Sequence, residues 1–361
     1  MRVAVQVADE TIEIREMDLP ALQPDEVLVR MEGCGMCGSD LESYRGKIVE
    51  AGLSQYPHVP GHEPVGRIER ITPEVAAAWG VGEGDRIAVE PFVPCGVCMR
   101  CLGGEYRICA NRFIYSCEPL TYGTGLWGGF AEYMVLRPNS VVHKVPDHLS
   151  IEDAVLFNPF GSGFEWAYKV PGTTVGDTVL ILGPGQRGLA SVVACQEAGA
   201  EQIIVTGTSA DARKLGVARE LGATETIVVD ETDTVERVME LTKGQGADRV
   251  VDTTSGSTQP VLDALDAART GGTIVFAGLK DARPVDGFIS DKIVFKNLNI
   301  KGALGVSAWA FRQGIRVIAS GKYPVHLMHT HTFDLADLEH AIAILSGKVE
   351  GEQAIHITVT P

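Results

Sequence analysis

The sequence has no apolar run approaching the ~18 residues that a membrane-spanning helix requires. Its opening, MRVAVQVADETIEIRE, alternates apolar and charged residues and lacks the apolar core of a signal peptide. Basic charge is short as well: 31 Lys and Arg stand against 47 Asp and Glu, a formal net charge of −16. An acidic surface repels phosphate backbones, so nucleic acid is not an expected partner, and no membrane is expected either. Cysteine is scarce, eight in 361 residues. These absences predict a cytoplasmic protein, a compartment where thiols stay reduced and clustered cysteines serve metals or catalysis. What is present is a globular composition, 45% hydrophobic and 22% charged, in a chain long enough for two domains.

Four of the eight cysteines fall in one loop, CGVCMRCLGGEYRIC, as C-x2-C-x2-C-x7-C: Cys95, Cys98, Cys101 and Cys109. Four thiolates around a tetrahedral ion form a closed structural zinc site, with Gly96, Gly103 and Gly104 easing the turns. An iron–sulfur cluster is the rival metal, and a merely cysteine-rich loop the plainer alternative. A closed site holds shape and leaves no coordination position for chemistry.

A different donor set lies upstream. GCGMCGSD supplies Cys37, and YPHVPGHEPVG supplies His62 and Glu63. Mixed sulfur, nitrogen and oxygen donors, well separated in sequence, are typical of a catalytic zinc that keeps a position for water or substrate. Taken singly, a cysteine near a glycine turn and a lone histidine are more often structural.

From Thr178 the chain reads TVLILGPGQRGLASVVACQEAGA. An apolar strand enters Gly183, Gly185 and Gly188, with Gln186 and Arg187 between the last two, and an Ala-rich helix follows. This is a dinucleotide fingerprint in its proper context, with a tight turn delivering a pyrophosphate to a helix N-terminus. Further strand-like runs end at Gly207, Asp230, Thr254 and Gly278, with helical stretches such as 211–221 and 258–269 between them. The alternation predicts a doubly wound parallel sheet, an α/β Rossmann domain. The second strand ends at Gly207 with no carboxylate for a ribose hydroxyl. Thr208, Ser209, Arg213 and Lys214 follow, and hydroxyls with cations there favour NADP over NAD. Alternatively, Arg213 and Lys214 are the solvated face of the next helix and Asp211 its cap.

Together, GCGMCGSD, GHE, GDRIAVEPFVPCGVCMRCLGGEYRIC, GGFAEY and the glycine fingerprint resemble, in order and along essentially the whole chain, the zinc-dependent medium-chain alcohol dehydrogenases. The resemblance implies a GroES-like, mainly antiparallel β catalytic domain at 1–157 with a zinc lobe at 95–109. It implies a Rossmann domain at 158–299, a return to the catalytic domain at 300–361, and a catalytic zinc facing the nicotinamide between them. It implies that Cys37 and His62 hold that zinc, that Glu63 joins or leaves the shell, that Ser39 relays the alcohol proton, and that Asp40 orients His62. Asn158 aligns with the family's third strong ligand, a Cys, Asp or Glu, and a neutral amide is a weaker donor. Glu42 stands where some members carry a relay histidine, so Glu42 or bulk water would take the proton.

The implied activity is oxidation of a secondary alcohol, or reduction of its ketone, by a homodimer or homotetramer. A polyol or threonine dehydrogenase is the alternative; a nucleotide-binding protein that has lost its catalytic zinc is the non-enzymatic one. Tyr115, Trp127, Phe92, Phe157, Phe160 and Trp309 are candidates for either an apolar substrate pocket or core. His326, His329 and His331 read as surface or packing residues.

Overall fold

The computed structural model describes residues 1–361. The chain divides into two compact units, Met1–Asn158 with His329–Pro361, and Pro159–Met328.

The first unit is built on the long strand Val27–Met36, buried along most of its length. It pairs antiparallel with Glu63–Arg70, Tyr133–Leu136 and His356–Thr360, the centre of a seven-stranded sheet. Only the outer pair, His329–Asp334 with His356–Thr360, is parallel. Val29, Met31, Ile68, Ile87, Met134 and Leu136 fill the core. Each buried aliphatic side chain contributes about 1.5–3 kcal/mol. Tyr115 and Trp127 join this cluster, so both are core residues. The register places Gly35 opposite Glu63. It therefore brings the C-terminal end of one strand, leading into Cys37, beside the start of the other, which follows His62. A short antiparallel pair, Phe92–Val93 with Phe113–Ile114, closes the base of the four-cysteine loop.

The second unit carries a six-stranded parallel sheet in the order Glu225–Val228, Gln202–Gly207, Thr178–Leu182, Ala247–Asp252, Ala268–Phe276 and Asn299–Gly302. The order reverses beside Thr178–Leu182, so the loop after that strand opens at the topological switch point where such sheets take ligands. Helix Gln186–Ala198 follows that loop and is almost wholly buried.

One expectation needs correction. The return to the first unit falls at His329, not 300. Asn299–Gly302 instead forms the sixth strand, and helix Ala308–Ala319 stays with the second unit. Backbone pairing to Ala268–Phe276 holds a segment, NIKG, that has no apolar run of its own. The stretch NPFGSG is part of the helix Phe157–Gly163, continued as a π-helical turn at Phe164–Lys169. Its glycines permit close packing: a Cβ on Gly161 would come 2.6 Å from the Phe311 ring, and one on Gly163 2.6 Å from the Ala190 backbone.

Candidate active site

Cys37 ends the long strand and caps the helix Gly38–Tyr44. One carboxylate organises the corner. Asp40 Oδ2 accepts the backbone N–H of Cys37 at 2.8 Å, while Oδ1 lies 3.1 Å from Nδ1 of His62. An Nδ1–H donated to Asp40 leaves the Nε2 lone pair facing Cys37 Sγ, 3.4 Å away. Two donors on one tetrahedral zinc, at ~2.3 Å for sulfur and ~2.05 Å for nitrogen, stand about 3.5 Å apart, so the pair fits that ion. Ser39 Oγ lies 2.9 Å from Cys37 Sγ and 3.2 Å from His62 Nε2, and is exposed. Glu63 is fully buried, with Oε1 3.9 Å from His62 Nε2. Cys37, Asp40 and His62 form one tight donor cluster. Burial pulls the His62 imidazole down, but Asp40 and Cys37 outweigh it and hold its pKa well above the usual value. A proton and a metal therefore compete for Nε2.

Asn158 is buried in the first turn of Phe157–Gly163. Glu42 is held by Lys47 at 2.5 Å and Arg45 at 3.3 Å, an ion pair rather than a free relay base. His331 pairs with Glu352 at 3.0 Å, and His329 lies 3.0 Å from the Thr332 hydroxyl.

In the lobe, the Sγ atoms of Cys95, Cys98, Cys101 and Cys109 all lie within 4.8 Å of one another, with four of the separations at 3.5–3.9 Å. The edge of a zinc tetrathiolate is about 3.8 Å, and all eight cysteines are free of disulfides. Backbone N–H groups of Val97 and Cys98 aimed at Cys95 lower its thiol pKa to about 6. Cys95 thus favours thiolate before any ion binds, whereas burial pushes the Cys101 thiol up to about 12.

In the second unit, Gly183 has φ +98°, and a Cβ there would meet Thr254 Cγ2 at 2.7 Å. A Cβ on Gly188 would lie 2.0 Å from the Gly183 carbonyl oxygen, and one on Gly278 1.9 Å from that of Thr254. These glycines let three chain segments close on one another. Space over Gly185, the helix N-cap, is open, as the approach of a phosphate requires. Gln186 is buried, and the Arg187 guanidinium stacks over Trp166 at 5.3 Å. Beyond Gly207, Thr208 and Asp211 form a capping box, Lys214 binds Asp211 at 2.8 Å, and Ser209 is held by Asp230. Arg213 is exposed.

Two residues here were not apparent from the sequence. Lys280 spends its ammonium on Thr254 O and Oγ1, both at 2.7 Å, and on buried Asp252 at 2.8 Å, pinning the segment that packs on Gly183. Its one signal is being the first cation after a strand's C-terminal end. His356 lies behind Glu63, brought there by strand pairing that no local spacing announces.

The sequence matches the family described as alcohol dehydrogenase GroES-like domain over residues 23–147, and that described as zinc-binding dehydrogenase over 188–320. A protein of Mycobacterium tuberculosis described as a probable alcohol dehydrogenase is 40% identical over 366 residues, spanning 100% of this chain and 98% of its own. The erythritol/L-threitol dehydrogenase of Mycolicibacterium smegmatis is 30% identical, spanning 96% and 94%. The crystal structure of an alcohol dehydrogenase from Thermotoga maritima superposes with TM-score 0.88 at 25% identity, covering 100% and 99%. Sorbitol and L-threonine 3-dehydrogenases are also among the relatives.

Proposed function

This chain belongs to the zinc-dependent medium-chain dehydrogenase/reductase family and is an oxidoreductase acting on CH–OH groups; from that premise we propose that it interconverts a secondary alcohol and its ketone at Cys37, His62 and Ser39. The observation that carries this reading is the 3.4 Å approach of Cys37 Sγ to His62 Nε2 with the Ser39 hydroxyl beside both.

Cys37 and His62 would hold a zinc ion that would supply Lewis acidity toward the alcohol oxygen, with a bound nicotinamide as the hydride acceptor. Ser39 Oγ receives the hydroxyl proton and passes it to water, since it is the exposed member of the group. Asp40 fixes the His62 tautomer and, through the Cys37 N–H, the direction of the thiolate. Overall, the alcohol loses one hydride and one proton, and a ketone remains. Glu63 completes a donor set in which Asn158 offers only a neutral amide. The lobe thiolates Cys95, Cys98, Cys101 and Cys109 hold a second, structural zinc.

For the nucleotide, Gly183, Gly185 and Gly188 take the pyrophosphate, with Thr254 and Gly278 closing the turn. NADP is the preferred partner on the strength of Thr208, Ser209, Arg213 and Lys214. NAD is the second reading, because Asp211 and Asp230 already engage Lys214 and Ser209. For the substrate, a polyol is the second reading, favoured by the erythritol/L-threitol relative. A homo-oligomer is supported by the outermost strand Asn299–Gly302, exposed throughout, and by Val294 and Phe295, 78% and 83% exposed. Eight cysteines outside any disulfide suit a reducing cytoplasm, and no helix is long and apolar enough to cross a membrane.

The test is a turnover panel of secondary alcohols, polyols and threonine with NAD and NADP. Turnover of a secondary alcohol that a chelator abolishes and zinc restores supports the reading. Turnover of none of them refutes it.

A further inference from the structure

Glu63 stands between two imidazoles. Its Oε1 lies 3.9 Å from Nε2 of His62, and its Oε2 3.8 Å from Nε2 of His356. Glu63 and His356 are both fully buried, and neither ring nitrogen of His356 has a hydrogen-bond partner. Gly35 keeps the space between them clear: a Cβ there would come 2.6 Å from Glu63 Oε2 and 2.9 Å from His356 Nε2. His356 opens the strand His356–Thr360, whose next residue, Ile357, pairs with Met36, one residue before Cys37. The same ladder that delivers Cys37 therefore delivers His356 to the far side of Glu63.

We propose that His356 is a positioning residue for the candidate metal centre: it secures Oε2 of Glu63 so that Oε1 faces the metal position beside His62. This rests on the reading that Cys37 and His62 hold zinc. At 3.8 Å the two groups are beyond hydrogen-bond range, and an approach of about 1 Å closes the contact. A neutral imidazole with its proton on Nε2 is sufficient to donate. Carboxylates that bind metals are themselves hydrogen-bonded, and loss of such an outer partner costs about 10–100-fold in metal affinity.

The experiment follows zinc release from the full chain into a chromogenic chelator. His356→Leu is expected to release the Cys37–His62 zinc about 10–100-fold faster, with the four-cysteine zinc released as in the parent protein. His356→Gln, whose amide nitrogen reaches the place of Nε2, should recover most of the loss. His356→Asn reaches only the place of Nδ1 and should not; it also serves should the Leu variant fail to fold. In a Glu63→Gln background, His356→Leu should add little, since the two act as one unit. Parent-like release from the Leu and Asn variants, or full additivity with Glu63→Gln, overturns the inference alone. A parent protein that binds only the four-cysteine zinc overturns both this inference and the reading beneath it.

Discussion

Asp40→Asn alters almost no volume, yet it sets two hydrogen bonds against each other. In the native corner both carboxylate oxygens accept, one from the Cys37 N–H at 2.8 Å and one from His62 Nδ1 at 3.1 Å. An amide has one accepting and one donating end. If its oxygen keeps the Cys37 N–H, its NH2 faces Nδ1 and drives the proton to Nε2, the nitrogen aimed at Cys37 Sγ. If it flips, two donors meet at Cys37. The first arrangement blocks metal binding; the second loosens the cap of the helix Gly38–Tyr44, worth about 1 kcal/mol. Loss of a histidine's outer carboxylate costs about 10–100-fold in metal affinity, or roughly 1.4–2.7 kcal/mol. Competition titration against a chelator of known affinity should therefore show the weaker of two zinc sites weakened by that factor, the other unchanged. An Asp40→Asn protein with parental affinity at both sites would refute the argument that this carboxylate fixes His62.

Other consequences follow from the same geometry. Gly188→Ala places a Cβ 2.0 Å from a backbone oxygen; the forced separation should lower kcat/KM for the dinucleotide by about a hundredfold, with zinc content unchanged in metal analysis. Cys101→Ser removes one of four thiolates, and calorimetry should show the unfolding midpoint falling by on the order of 10 °C with one zinc lost. Burial holds the His58 pKa down to about 4 against an ordinary 6.5. The unfolded chain therefore binds the proton first, and stability present above pH 6.5 is lost as pH falls toward 4, by on the order of 3 kcal/mol. Denaturant titrations of His58→Gln should show a shallower loss across that window, and an unchanged slope would contradict the assignment. Asp211→Asn frees Lys214 from its 2.8 Å ion pair and should shift the kcat/KM ratio toward NADP by up to about tenfold.

Much of the site was legible because its chemistry is local. The four cysteines lie within one loop, and the glycine spacing states the contacts that a Cβ would break, such as Gly188 against the Gly183 carbonyl. Cys37 and His62 could be named as donors, but their approach depends on the register that pairs Gly35 with Glu63. What was missed depends on pairing between distant segments. NIKG has no strand pattern of its own and becomes a strand only by laddering onto Ala268–Phe276, so the return point was placed too early. NPFGSG carries glycine and proline, which break isolated helices. Here Phe311 and the Ala190 backbone need the room that Gly161 and Gly163 leave. His356 shows no motif at all, and only the fold sets it behind Glu63.

The proposed function requires two zinc sites in this chain, of which the Cys37–His62 site drives alcohol oxidation. Metal analysis of protein purified without added metal tests it most directly, run in parallel on Cys37→Ser. About two zinc ions per chain are expected, with the Cys37→Ser protein losing one of them and all turnover while remaining folded. One ion per chain in the parent protein, or full turnover in Cys37→Ser, would contradict it.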